Sequence, residues 1–174
     1  MQRELFDIRG GMQPLLLLVM LTKEKVQELI DKFILENDSV FLVSFKMSPS
    51  KQIEILIDST DGGVSVKNCI QLSRHIEGNF DREEVDFSLL VSSAGLSEPF
   101  KVFKQYKKNI GKNVNVFLKE GAKIFGKMID AEEGKGITLE TTRKEKVGKK
   151  KTNIIEQQSF SFDQIDKTKI VISF

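Results

Sequence analysis

The chain has 174 residues, 40% hydrophobic and 30% charged, with a net charge of +2, a length that fits one large or two small domains with buried cores. A single cysteine, Cys69, and a single histidine, His75, exclude an internal disulfide and a structural Cys/His zinc cluster, and nothing points to an oxidising compartment. The small net charge hides a split: residues 1–100 carry 10 Lys/Arg against 16 Asp/Glu, a net of −6, while residues 101–174 carry 17 against 9, a net of +8. Such asymmetry argues for two units with different surfaces, the basic one suited to a polyanion.

Residues 1–19 have no sustained period and are broken by Gly10-Gly11 and Pro14, which reads as a tail, or as an upstream extension with the natural start at Met20. The apolar stretch Leu15–Leu21 is far shorter than the roughly 20 residues a bilayer span needs. Arg3 and Arg9 are offset by Glu4 and Asp7, and no small-residue cleavage site follows, so a secretory signal is disfavoured and a cytoplasmic protein is expected. Lys23–Leu35 reads as a helix: Val26, Leu29, Ile30, Phe33 and Ile34 recur at helical spacing, with Thr22 as N-cap. Val40–Met47 alternates, placing Phe41, Val43, Phe45 and Met47 on one face; Ser48-Pro49-Ser50 turns the chain, and Ile53, Ile55 and Ile57 alternate back. Asp61-Gly62-Gly63 closes this hairpin. Ser65 and Asn68 open a second helix with the stripe Cys69, Leu72, Ser73, Ile76 and Phe80, and Asp86–Val91 reads as a third strand. The order gives an α-β-β-α-β sandwich with its helices against one sheet face.

The pattern changes after Pro99. Phe100, Phe103 and Tyr106 sit three apart on a short helix with Lys101, Lys104, Lys107 and Lys108 projecting around them, and Gly111 ends it. Short strands follow over Asn113–Leu118, Ala122–Ile129, Gly136–Thr141, Asn153–Glu156 and Lys169–Phe174, a spacing that suggests a small β-barrel. The fold class expected is α+β, with domains over residues 22–98 and 99–174 after a tail over 1–21.

Chemistry is scarce. Ser92-Ser93, between an apolar run and Gly95, sits where an enzyme could hold a nucleophile, but a serine needs a base. His75 lies beside a helix stripe and reads as a partly exposed helix residue, and neither serine has the glycines of a nucleophile elbow. No phosphate-cradling glycine loop is present. Asp81, Glu83, Glu84 and Asp86 read as a solvated turn before weak Mg²⁺ ligands, and Cys69 as a small core hydrophobe. The absence of Trp and the single Tyr weaken an aromatic-stacking model of RNA binding, and the 13 Phe fall mostly at core periods. The run Arg143–Lys151, with six Lys/Arg and one Glu, is the feature with a functional slope: basic clusters neutralise phosphates with salt-dependent, largely sequence-blind affinity.

Over residues 22–174 the chain resembles the RimP family of bacterial ribosome maturation factors. The diagnostic piece is Val91-Ser92-Ser93, Gly95-Leu96 and Pro99, set against a family pattern of approximately Val-Ser-Ser-Pro-Gly-Leu-Asp-Arg-Pro-Leu, with departures at Ala94, Ser97, Glu98 and Phe100. Phe103, Tyr106, Gly111-Lys112, Val114, Val116 and Leu118 continue it, as do Ile55-Leu56-Ile57-Asp58, Gly63-Val64, Cys69, Ser73-Arg74, Gly126 and Ile137-Thr138-Leu139-Glu140. The resemblance implies an N-terminal α+β domain and a C-terminal Sm-like or SH3-like barrel. It implies a non-enzymatic assembly factor, without cofactor, metal or small-molecule substrate, acting as a monomer on the precursor of the small (30S) ribosomal subunit. Its partners would be a small-subunit ribosomal protein near the decoding region, rRNA, or both, met largely by the barrel. On this reading Ser92, Ser93, Gly95 and Pro99 form an interdomain joint. Lys101, Lys104, Lys108, Lys112, Arg143, Lys144, Lys146, Lys149, Lys150 and Lys151 are the candidate ribosome or RNA surface. Glu98 stands where the family has a basic residue, a loss the lysines at 101, 104, 107 and 108 would offset. The alternative is a general RNA-binding Sm-like module.

Overall fold

The computed structural model describes residues 20–147 and 150–172, so the expected tail over 1–19 and Lys149 lie outside the described residues. The described chain is mixed α+β, with two sheets, three helices and two separate apolar cores.

The first core forms where the periodicity places it. Helix α1, Lys23–Leu35, begins at Thr22, whose hydroxyl accepts from the Lys25 amide at 3.1 Å, and it buries Val26, Leu29, Ile30 and Phe33. Helix α2, Val66–Glu77, starts with a reciprocal capping box between Ser65 and Asn68, satisfying two otherwise orphaned amides. Both pack on a sheet of order β1-β2-β3: β1 (Val40–Met47) and β2 (Gln52–Ser59) are antiparallel, and α2 is the crossover that makes β3 (Ser88–Ser93) parallel to β2. Ile53, Ile55 and Ile57 are almost wholly buried beneath the helices.

Two expectations need correction here. A register shift between Leu42 and Ser44 breaks the alternation of β1, so Val40, Leu42, Phe45 and Met47 face the helical core, while Phe41 and Val43 are buried outside it. The third strand runs to Ser93 rather than ending at Val91: Ser92 and Ser93 pair with Leu56 and Ile57, because β2 still offers backbone partners there. At its start Phe87 packs edge-on against Phe80, and its carbonyl accepts from Arg82, so pairing begins only at Ser88.

The second sheet is antiparallel throughout, in the order β7-β6-β5-β4-β8, built from β4 (Asn113–Leu118), β5 (Lys123–Glu132), β6 (Gly136–Val147), β7 (Lys150–Ser161) and β8 (Ile165–Ile170). Strands β6 and β7 are longer than their apolar residues suggest, since one uninterrupted hairpin pairs Gly136–Val147 with Lys150–Ser161. The last strand starts four residues before its expected place, because Ile165 is already paired with Leu118; a register shift beside it hides the alternation. Gly126 is required where β5 meets β6: an added Cβ would lie 2.8 Å from the Glu140 carbonyl oxygen. Val114, Val116, Met128 and Leu139 are fully buried, and Tyr106 and Phe162 close that core edge-on, 5.1 Å between ring centroids.

Helix α3, Phe103–Lys108, lies at the seam between the two sheets. Phe103 and Tyr106 pack into the second core, whereas Lys104, Gln105 and Lys108 face the first sheet on the side away from α1 and α2. Helices α1 and α2 cover one face of the first sheet, as expected.

Candidate functional site

Two regions gather the polar side chains that could act: the seam between the sheets and the basic surfaces around it. The seam is built on Asp58. Alternation along β2 turns Ile57 to the core and Asp58 to the opposite face, beside its β1 partner Phe41. The Lys108 ammonium lies 2.6 Å from Asp58 Oδ1 and also donates to the carbonyls of Ser59 and Gly62, each at 3.0 Å. Both side chains are only 10% exposed, so this is a buried, multiply hydrogen-bonded ion pair. Gln105 reaches it as well: its amide nitrogen donates to Asp58 Oδ2 at 3.4 Å, while its Oε1 accepts from the Lys101 amide at 2.7 Å and so caps α3. The Lys104 ammonium sits 5.7 Å from the Phe41 ring centroid, a cation–π contact across the same seam.

The chain crosses from one sheet to the other in a short, pinned segment. The Ala94 amide donates to the Ile57 carbonyl at 2.9 Å, a turn follows in which the Glu98 amide donates to the Gly95 carbonyl at 3.0 Å, and the Phe100 amide donates to the Thr168 carbonyl at 2.9 Å. Ser93, Gly95, Leu96, Glu98 and Lys112 line a cleft of about 240 Å³ beside the Asp58–Lys108 pair. Pro99 is half-buried in the crossing. Ser92 projects to the sheet face opposite the helices, near Lys46, Leu90 and Lys101, while His75 packs on the helical side, 6.0 Å from the Phe33 ring. The sheet thus separates the serine from the imidazole.

The nominated lysines divide. Lys108 lies in the seam, its ammonium held by Asp58 and its side chain only 10% exposed. Lys104 is exposed but leans on Phe41. Lys101 is exposed, and Lys112 is exposed with its ammonium donating to Asn109 Oδ1 at 3.0 Å. Arg143 lies on β6, its guanidinium 3.5 Å from Glu156 on β7. The backbones of Lys144, Lys146, Lys150 and Lys151 belong to the far end of the β6–β7 hairpin. Asp81, Glu83, Glu84 and Asp86 are exposed between α2 and β3, and among the described residues no three His, Cys, Asp or Glu side chains converge as metal ligands. Burial pushes the Cys69 thiol above the ordinary cysteine range.

Residue patterns alone missed Asp58 and Gln105. The signal for Asp58 was available: an acid ends an alternating isoleucine strand at a position the pleat turns away from the helical core. What buries it, α3, lies about fifty residues downstream and is not local.

A buried ion pair thus joins the two sheets, with exposed Lys101, Lys104 and Lys112 near the seam and exposed acids between α2 and β3. The chain belongs to the RimP family of ribosome maturation factors. Residues 24–97 match the RimP N-terminal domain. The chain is 40% identical over 153 residues to the ribosome maturation factor RimP of Christiangramia forsetii, covering 87% of this chain and 99% of that one. It is 36% identical to the RimP of Flavobacterium psychrophilum, over 87% of this chain and 98% of its relative, and 34% identical to that of Porphyromonas gingivalis, over 71% and 80%. These relatives are named for a role in ribosome maturation, not for a reaction.

Proposed function

We propose that this protein is a non-enzymatic factor for assembly of the small (30S) ribosomal subunit, docking transiently on its precursor in the cytoplasm and leaving as mature contacts form. The observation that carries the reading is the match to RimP relatives along most of the chain, 99% of one of them. The charge split supports it: net −6 over residues 1–100 suits a basic ribosomal protein or discourages stray RNA binding, and net +8 over residues 101–174 suits rRNA or a seam between protein and rRNA.

The protein acts as a monomer of two domains dividing between residues 98 and 99, with Ser92, Ser93, Gly95 and Pro99 in the joint. The two separate cores favour that division. The C-terminal domain is a small Sm-like or SH3-like barrel. Support comes from a short helix followed by five antiparallel strands, the last lying beside the first. Lys101, Lys104, Lys112, Arg143 and the lysines of the β6–β7 hairpin form its ribosome-facing surface, with Lys108 removed to the joint. Depleting the protein from its host and profiling ribosomal particles tests the reading. Accumulation of immature small subunits with unaltered large-subunit maturation is expected; an unchanged profile, or a defect confined to large subunits, would contradict it.

A further inference from the structure

The second sheet has an outward face, opposite its core. Along β5 the parity is Lys123, Phe125, Lys127 outward against Ile124, Gly126, Met128 inward, and Ile124 and Met128 belong to the core. Across the sheet, Phe125 pairs with Asn115, which pairs with Lys169; Phe117 pairs with Lys123 on one side and Lys167 on the other. The two ammonium groups flanking Phe117 sit 5.5 and 5.1 Å from its ring centroid, so a half-buried aromatic holds a pair of cations in place. Phe125 is different: it is 57% exposed, although Gly126 and Met128 on the same strand are buried. The acids nearby are Glu140, paired in register with Lys127, and Asp166, 3.6 Å from the Lys167 ammonium.

We propose that this face, on which Lys123, Lys127, Lys167 and Lys169 frame the exposed ring of Phe125, binds a single-stranded segment of RNA. The ring of Phe125 is exposed, and the four lysines around it select a polyanion. Cations tracking a backbone with an aromatic platform for a base is the arrangement that suits single strands; a duplex hides its base faces and offers nothing for the ring to stack on. An acidic protein segment would satisfy the lysines but would not need a flat exposed aromatic among them. The assignment deepens the assembly reading and rests on it for the origin of the RNA, which would be an unpaired stretch of rRNA in the immature particle.

The test uses the full-length protein and fluorescence anisotropy with a labelled single-stranded RNA 12-mer, a duplex of the same sequence and poly-glutamate as competitor, at several salt concentrations. Affinity for the single strand is expected to fall with salt. Phe125→Ala is expected to weaken binding by about fivefold to a hundredfold, with the salt slope unchanged, as loss of one stacked base does. Phe125→Trp retains binding. Lys123→Gln with Lys127→Gln reduces the magnitude of the slope by about 1.4, two phosphate contacts on a single strand. Each exposed-site variant keeps the wild-type circular dichroism spectrum and melting temperature. Unchanged affinity of Phe125→Ala, tighter binding to the duplex, or equal competition by poly-glutamate would overturn the proposal, the last favouring an acidic protein. Sedimentation with immature small subunits separates the two levels. Variants that lose neither RNA nor subunit binding sink this face alone. RNA binding without any subunit binding by the wild-type chain sinks the assembly reading and leaves the face.

Discussion

Lys108 and Asp58 meet 2.6 Å apart across the seam between the two sheets, both nearly out of water, fifty residues apart in sequence. Charges removed from water to that degree are tolerated because every strong donor and acceptor has a partner: three oxygens for the ammonium, and Lys108, Gln105 and the Ser59 amide for the carboxylate. The pair makes the joint specific as well as tight, since an altered angle between the sheets would leave a buried charge alone.

Removing one partner is therefore expected to cost more than removing both. Lys108→Met and Asp58→Leu should each destabilise by about 3–5 kcal/mol, while the double variant should recover a substantial part of that loss. Urea unfolding followed by circular dichroism, with the fluorescence of Tyr106 reporting the second core, checks this. Additive losses would mean that the pair is not coupled.

The glycines separate packing from recognition. Gly126→Ala should destabilise by about 1–3 kcal/mol, because its Cβ would press on the Glu140 carbonyl at 2.8 Å and on the Leu139 side chain at 3.3 Å. Gly95→Ala should melt within a degree or two of the parent: its nearest new neighbour would be the Glu98 side chain at an ordinary 3.7 Å, and its φ is not positive. Melting curves of the two variants decide it. A large loss at Gly95 would show that the joint needs glycine for its backbone.

Cys69 is half-buried and should behave as a poorly ionised thiol. Its raised pKa leaves little thiolate at neutral pH, and thiolate is the reactive form, so alkylation of the folded chain at pH 7 should be slow and should climb only in alkaline solution. Denatured chain should react at the rate of a free cysteine. Rapid labelling of the folded protein at pH 7 would place the thiol in a different environment.

How far the sequence could be read follows from how local each determinant is. Helix α1, from its Thr22 cap to Leu35, and the Ser65–Asn68 box of α2 were legible because caps and helical stripes are written within a dozen residues. The β1 face was not, because the irregularity between Leu42 and Ser44 shifts the alternation without leaving a Gly or Pro behind. Ser92 and Ser93 looked like a loop, since serine is a turn residue; the backbone of β2 holds them in a strand. Lys108 looked like surface until α3 met Asp58. The alternation Lys123-Ile124-Phe125-Gly126-Lys127-Met128 sets Phe125 among lysines, opposite the buried side, in a chain whose phenylalanines fall mostly at core periods.

The central claim, that the chain docks on the immature small subunit, is tested most directly by sedimentation. The purified protein is mixed with immature small subunits, mature small subunits or large subunits, and its presence in each particle fraction is measured as salt is raised. Preferential binding to immature small subunits, weakening steadily with salt, is the predicted result. Equal binding to large subunits, or binding indifferent to salt, would contradict it.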